Sequence, residues 1–540
     1  MILFSRLFVV LMATLILAIA ACVGSASPTP NQPDGAKTSA LSVPVGGGGA
    51  SITEEKALRL GLPFLFTNQP ADPASGGGFF LIQLGLGETL FKLSKDLRPE
   101  PWLATGAEQQ DEKSWQVTLH SGVKFHNGKL MDAVAVKASL ERAITKSSTA
   151  RALLDIASIE VTGPLTLTIV TNNPSPVLPG MLTDPSSVIL DADAAAATGN
   201  DVITENPVLT GPFKWERLQP DRELVVIRHP EYWGGPPMVD RTIFSYIPDN
   251  NSRVLALQSG DIDIASYIAP ESVPTVENAS GLVVVPAASV ALEFMYLNHR
   301  REPWQDERVR EAVALAIDRE ALVDAIMQGL GIAAAGPFPP AFLRCPQLQG
   351  HSFDPVRAKE LLAQAGYMDG DGDGIMERDS QPLAMTLLTY RQRPELPPMA
   401  EAIQGSLKTI GISVDIRMVE QINAALEGTD WDGGMYFNNM ATTGDPYWAL
   451  SQFFVTGGEA NRGGYSSPRV DELARQINQA TDRQVREQLA CDASQTIVDE
   501  VPVVPLLYPN FNYGVSKTVA GFSEPHPFFL YLMDSKIGTQ

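Results

Sequence analysis

Cysteine is almost missing from this chain. Only three occur in 540 residues, at positions 22, 345 and 491, and no two form a Cys-x-x-Cys pair. A disulfide-built scaffold and an all-cysteine zinc site are thereby excluded. Histidine is nearly as scarce: His120, His126, His229, His299, His351 and His526 are scattered, with no His-x-x-x-His pair, so no local metal motif exists. Positive charge is in deficit, 40 Lys and Arg against 62 Asp and Glu, a formal charge of −22. Such a balance repels polyphosphate and removes nucleic acid from the expected partners. The sequence contains no Gly-x-Ser-x-Gly elbow, no phosphate-binding Gly-x-x-x-x-Gly-Lys-Ser/Thr loop and no His-Glu-x-x-His. Many carboxylates are present, but no spacing singles out the pair a glycosidase needs. An anchored extracytoplasmic hydrolase remains only as the rival class. No cofactor is implied.

What is present is an ordinary globular body, 44% hydrophobic and 19% charged, long enough for several domains at roughly 100 to 200 residues each. Residues 1–21 carry one positive charge, Arg6, and an almost uninterrupted apolar run. That is a secretory signal, and about fifteen apolar residues are short of the roughly 20 a bilayer span needs. The run closes in Ile19-Ala20-Ala21-Cys22, which resembles a bacterial lipobox and implies a diacylglycerol on Cys22. Residues 22–53 are rich in Ser, Pro, Gly and Ala and read as a flexible tether. The expectation is an exported, membrane-anchored protein working as a monomer at the cell surface or in the periplasm.

Periodicity predicts mixed α/β structure. Trp115 to Leu119 and Leu165 to Val170 alternate as strands, and Asp132 caps a short helix over Val136 to Ile144. Asp306 caps a helix whose apolar stripe is Val309, Ala312, Val313, Ala316 and Ile317. Asp354-Pro355 opens another that Gly366 ends, and Ala400 to Ile410 leads into the strand Ser413 to Ile416. One long helix is expected from Val470 to Glu500, stopped by Pro502.

Several segments, in order, carry a family resemblance. They are Gly87-Glu88-Thr89-Leu90 through Pro101-Trp102-Leu103-Ala104, then Leu119-His120-Ser121-Gly122-Val123-Lys124-Phe125-His126-Asn127-Gly128, Gly211-Pro212-Phe213 and Tyr232-Trp233-Gly234. Ala256 to Asp263, Val309 to Arg319, Gly463 to Ser467 and Pro502 to Leu506 continue the series. Together they resemble family 5 of the extracytoplasmic solute-binding proteins serving ABC importers of peptides, nickel and related solutes. The resemblance implies a two-lobed, periplasmic-binding-protein-like class II α/β fold with an extra subdomain in lobe I. Lobe I would be 54–86, 210–289 and 510–540, the inserted subdomain 87–209, and lobe II 290–509. A small solute, peptide-like by first choice and a nickel or metal chelate by second, would be held between the lobes and passed to the permease subunits.

The resemblance also implies site residues. Gln392-Arg393-Pro394 matches a stretch in which dipeptide-binding members grip the ligand carboxylate with the arginine; the competing reading is an arginine paired with Glu395. Where relatives carry an amine-binding aspartate, this chain has Met435-Tyr436-Phe437-Asn438-Asn439-Met440-Ala441-Thr442-Thr443-Gly444-Asp445-Pro446, leaving Asp445 as a substitute anchor or a turn residue. Tyr436, Asn438, Asn439 and Trp448 would line the cleft from lobe II, and Thr67 and Asn68 from lobe I. The stretch Leu182-Thr183-Asp184-Pro185-Ser186-Ser187 lacks the arginine expected of a metal-chelate binder. Asp369, Asp371 and Asp373 match the opening of a calcium loop, but Ser380 stands where a bidentate Glu belongs, so a hairpin turn is the favoured reading. Cys345 and Cys491 both map to lobe II, where a disulfide can form in an oxidising compartment.

Overall fold

A single strand, Val503–Ser516, ties the molecule together. The computed structural model describes residues 56–66, 70–528 and 530–539. The signal peptide, the tether with Cys22, and the cleft candidates Thr67 and Asn68 lie outside the described residues. Over 503–507 the long strand pairs antiparallel with Ala291–Leu297, and over 510–516 with Leu282–Ala288. The chain therefore crosses between two sheets twice, at 289–290 and near 508–509. On one side, Ala57–Leu62 lies parallel to both Arg241–Tyr246 and Ile264–Ala265, and Glu223–Arg228 and Phe213–Gln219 extend that sheet. On the other, Ala384–Thr389 lies parallel to Ser413–Met418 and Gly433–Asn439, which joins Ala291–Leu297. These two sheets are the cores of lobe I and lobe II.

Strand alternation builds lobe II in layers. Met295 and Leu297 pack on one side with Leu387 and Met435, whereas Leu292, Phe294 and Tyr296 pack on the other with Leu388. The stripe Val309, Ala312, Val313, Ala316 and Ile317 covers the first face, fully buried, together with Leu361, Leu362, Ile403 and Leu407. Each helix begins on the expected cap: Asp306 accepts from Arg308 N, and Asp354 from Arg357 N. Gly366 sits at φ 89°, a left-handed turn that ends the Pro355–Gln364 helix at little steric cost.

The chain between the first lobe I strand and Phe213 forms its own antiparallel sheet, ordered Ala104–Gln109, Ser114–Leu119, Thr166–Thr171, Ile156–Gly163. The helix Ala133–Lys146, capped by Asp132 through Ala135 N at 2.9 Å, packs on it with Phe125, Val136 and Leu140 in a separate core.

One expectation fails. Instead of one helix from Val470 to Glu500 there are two, Pro468–Gln479 and Arg483–Glu500. Ala480 is extended, at ψ 128°, and the Asp482 carboxylate accepts from Val485 N, so a new helix starts where the apolar periodicity gives no warning. The second of these helices carries Cys491, joined to Cys345 across 146 residues. Replacing both cysteines by serine is expected to lower unfolding free energy by about 2–4 kcal/mol, read by denaturant titration, while leaving ligand affinity unchanged.

Glu88 is fully buried next to this framework. Tyr232 Oη donates to it at 2.7 Å and Trp233 Nε1 lies 3.2 Å from both carboxylate oxygens. Burial pushes its carboxyl up to about 7 from an ordinary 4.5, against the pull of those bonds. A raised folded-state value means the associated stability is complete below pH 4.5 and is lost as pH rises through about 7. Between pH 4.5 and 8 this amounts to about 3 kcal/mol. The expected result is unfolding free energy that falls over that interval in the native protein and much less in Glu88→Gln.

Candidate ligand-binding cleft

The strand Ala384–Thr389 delivers Gln392-Arg393-Pro394 to the start of the helix Leu396–Thr409. The turn is closed by Leu396 N donating to Arg393 O. From there the Arg393 side chain leaves lobe II and enters a cavity of about 200 Å³ whose other walls belong to lobe I, including Phe64, Phe79 and Tyr267. Its guanidinium lies 3.5 Å from the ring centre of Phe437, 4.8 Å from Tyr267 and 5.8 Å from Phe64. Aromatic faces attract a cation but accept few of its five N–H donors. Among the described residues Nη1 has no hydrogen-bond partner and the side chain makes no ion pair, with Glu395 included. Burial pulls its pKa down to about 10, with Glu395 opposing, so it stays cationic at neutral pH.

Paired in register with Phe437 is Glu293, the only charged residue in the strand Ala291–Leu297. It is fully buried, and neither carboxylate oxygen has a hydrogen-bond partner among the described residues. Burial first, and the neighbouring Glu395 carboxylate second, push its pKa well above the ordinary value and favour the neutral acid. Half-buried and without an ion pair among the described residues, the Arg393 guanidinium has the charge and the N–H donors that complement an anion.

A second cavity of about 440 Å³ adjoins the first at Phe79, which borders both. It is enclosed by the 73–79 loop, residues 146–149 and 184–186, and Asn438, Asn439 and Thr442 of lobe II. The lobes meet closely around it. Thr183 Oγ1 donates to Thr442 O at 3.4 Å, and a Cβ on Gly180 would lie 2.6 Å from Thr443 O.

The structure brings Arg393, Asn438 and Asn439 to these two cavities. It takes Tyr436 elsewhere: one position from Phe437 on the strand, it faces the opposite side, packs on Phe294 and Tyr296 at 5.6 and 5.3 Å, and donates to Asn423. Trp448 is half-buried on the helix Pro446–Phe453, edge-on to Phe453 at 6.3 Å. Asp445 caps that helix through Tyr447 N, and both its oxygens hold the guanidinium of Arg486 at 2.6 and 2.8 Å. A third cavity, about 270 Å³, has Asp445 and Arg486 in its wall and shares no residue with the other two.

Asp369, Asp371 and Asp373 form an exposed turn before the Glu377–Arg378 and Gln381–Pro382 hairpin. Their carboxylates accept from the backbone of Gly372, Gly374, Asp373 and Ile375. Among the described residues they are also the only three His, Cys, Asp or Glu side chains close enough to share a metal ion. No helix of the described residues is long and apolar enough to cross a membrane.

Two lobes joined by two crossovers, with an unpaired charge held between them, is the arrangement of a solute receptor, and the comparisons agree. The model for bacterial extracellular solute-binding proteins, family 5, matches residues 98–461. The chain belongs to this family. It is 29% identical over 456 residues to the nickel-binding protein NikA of Staphylococcus aureus, covering 84% of this chain and 89% of that one. The crystal structure of that protein with Ni(L-His)2 superposes with a TM-score of 0.78 at 28% identity, covering 90% of this chain and 100% of the other. The glutathione-binding protein GsiB of Salmonella paratyphi A is 30% identical over 448 residues, covering 80% of this chain and 85% of GsiB. The oligopeptide-binding protein AppA of Bacillus subtilis, solved with a nonapeptide, shares the fold at a TM-score of 0.74 and 24% identity, covering 90% and 99%. The fold of this binding protein is thus the two-lobed class II periplasmic-binding-protein fold.

Three partners of the cleft escaped sequence reasoning: Tyr267 and Phe64 from lobe I, and Glu293. Only Glu293 left a signal, a lone carboxylate in the otherwise apolar run Ala291-Leu292-Glu293-Phe294-Met295-Tyr296-Leu297.

Proposed function

We propose that this binding protein is the extracytoplasmic receptor of an ABC importer, anchored through a lipid on Cys22. It captures a small carboxylate-bearing solute, peptide-like, and passes it unaltered to the permease. The observation that carries this reading is the half-buried Arg393 between the lobes, whose Nη1 is buried without a hydrogen-bond partner among the described residues. A guanidinium fork accepts a carboxylate bidentately, and a carboxylate there removes the cost of the isolated charge. Contacts made to both lobes at once exist only when the lobes are shut, so ligand binding favours closure. The permease reads the shut form. Lobe I is taken as 54–86, 210–289 and 510–540, with 87–209 inserted, and lobe II as 290–509.

The second reading is a nickel or metal chelate, favoured by the similarity to NikA. Arg393 admits it only if the chelating molecules bring carboxylates, since a bare cation is repelled. One experiment tests both: native mass spectrometry of what co-purifies, then a thermal-shift screen of peptides, glutathione, nickel–histidine and sugars. A saturable stabilisation by a carboxylate compound that is recovered chemically intact supports the receptor. Turnover of the compound, or stabilisation by sugars alone, overturns it.

A further inference from the structure

Arg393 keeps its donors open although an acidic side chain stands two residues away. Glu395 is buried, at 7% exposure, at the start of the helix Leu396–Thr409, where its side chain caps no backbone N–H and makes no ion pair among the described residues. It acts on the guanidinium only through space. A glutamate and an arginine so near in sequence form an ion pair unless one of them is held elsewhere.

The holder is Glu293. Residues opposite each other in an antiparallel pair share a face of the sheet, so Glu293 lies on the face of Phe437, whose ring centre is 3.5 Å from the guanidinium. Neither Glu293 oxygen receives a hydrogen from a donor among the described residues, and the group within its hydrogen-bonding reach is the Glu395 carboxyl. Two ionised carboxylates can only accept, so a bond between them exists only when one carries a proton. Glu293, fully buried within a strand, is the costlier of the two to ionise, and burial pushes its carboxyl well above the ordinary range. Glu395 stands at a helix N-terminus, which favours the anion. The proton therefore sits on Glu293 and points at Glu395. Little else competes for it: the residues opposite Glu293 on the two neighbouring strands are Phe437 and Leu507, and the phenol of Tyr390, which feels both carboxylates, is pushed up by burial and stays neutral.

We propose that Glu293 is a positioning residue for ligand capture: protonated, it donates a hydrogen bond to Glu395, holds that carboxylate off Arg393 and so leaves the guanidinium free for the carboxylate of the solute. The proposal rests on the reading of Arg393 as the carboxylate site.

Two measurements test it, one without ligand. Arg393→Ala is compared by denaturant titration in the native protein, in Glu293→Gln and in Glu293→Leu. Glutamine keeps an N–H for Glu395, and leucine fills similar space with no donor. The replacement is expected to cost no stability in the native and glutamine backgrounds, and to cost stability in the leucine background, where Glu395 has turned onto the guanidinium. The second measurement is isothermal titration with free-acid dipeptides and glutathione. Glu293→Gln should bind as the native protein does, and Glu293→Leu about tenfold more weakly, because a charged hydrogen bond to the ligand is lost to Glu395. Adding Glu395→Gln to Glu293→Leu should restore native affinity. A merely structural Glu293 gives a loss that Glu395→Gln does not repair. That outcome overturns the proposal, as does native affinity in Glu293→Leu or an Arg393→Ala effect on stability that is the same in all three backgrounds. If the backgrounds differ but no probe binds the native protein, the carboxylate reading fails and the capture role with it, while the bond between Glu293 and Glu395 stands.

Discussion

Arg393→Ala weakens a carboxylate ligand by about 1.5–3 kcal/mol, roughly tenfold to a hundredfold in Kd, the range for a hydrogen bond to a charged group. The same substitution leaves the ligand-free protein as stable as before or more so. The reason is the lack of a direct partner: the guanidinium lies among Phe437, Tyr267 and Phe64, its Nη1 has no hydrogen-bond partner among the described residues, and Glu395 acts on it only through space. An isolated buried charge lowers stability, and replacing it relieves that cost. Opposite signs for affinity and stability mark a residue kept for binding. A structural arginine would show the reverse, with stability falling and affinity following it. Arg393→Lys is expected to recover little affinity, because an ammonium neither lies flat against Phe437 nor forks onto two oxygens. Calorimetry for affinity and denaturant titration for stability, on the same preparations, decide between the two.

Glu293 belongs to the same electrostatics. Burial within the lobe II sheet pushes its carboxyl well above the ordinary range, and the Glu395 carboxylate adds to this. That arrangement depends on packing between a strand and a helix start 100 residues apart, which explains why it was invisible beforehand.

What was legible in the sequence follows local physics. The stripe from Val309 to Ile317 and the caps Asp306 and Asp354 were readable because periodicity and capping act over four residues. Arg393 was readable only through the family resemblance, since a loop arginine beside Glu395 is ordinarily a surface ion pair. The cleft's lobe I wall was not readable at all: Tyr267 is brought to Arg393 by two crossovers, and no pattern near Tyr267 records that meeting. Tyr436 shows the limit of placing residues by stretch. Side chains alternate across a strand, so Phe437 meets Arg393 and Tyr436 goes to the opposite face beside Phe294. Likewise Val470 to Glu500 kept helical periodicity on both sides of a break that Asp482 makes by capping.

Asp445, open from sequence between a substitute anchor and a turn residue, caps the Pro446–Phe453 helix through Tyr447 N, and its replacement separates the two readings. Its carboxylate and the Arg486 guanidinium form two charged hydrogen bonds in a nearly dry setting, their side chains 11% and 3% exposed. Arg486 also donates to Ile477 O and Ala480 O, so one side chain joins the Pro446–Phe453 helix to the break between the two C-terminal helices. Removing either partner strands the other charge, which costs about 3–5 kcal/mol of stability. Arg486→Ala and Asp445→Ala are each expected to lose that much. The double replacement should lose clearly less than their sum, because no charge is then left buried alone. Ligand affinity, measured below the new melting point, should be unchanged in all three, since this pair faces a cavity separate from the one holding Arg393. A ligand-anchoring Asp445 would give the opposite pattern: affinity falling with Asp445→Ala, and stability losses that simply add. Once Arg486 is fixed between helices, its counter-ion is committed to the fold.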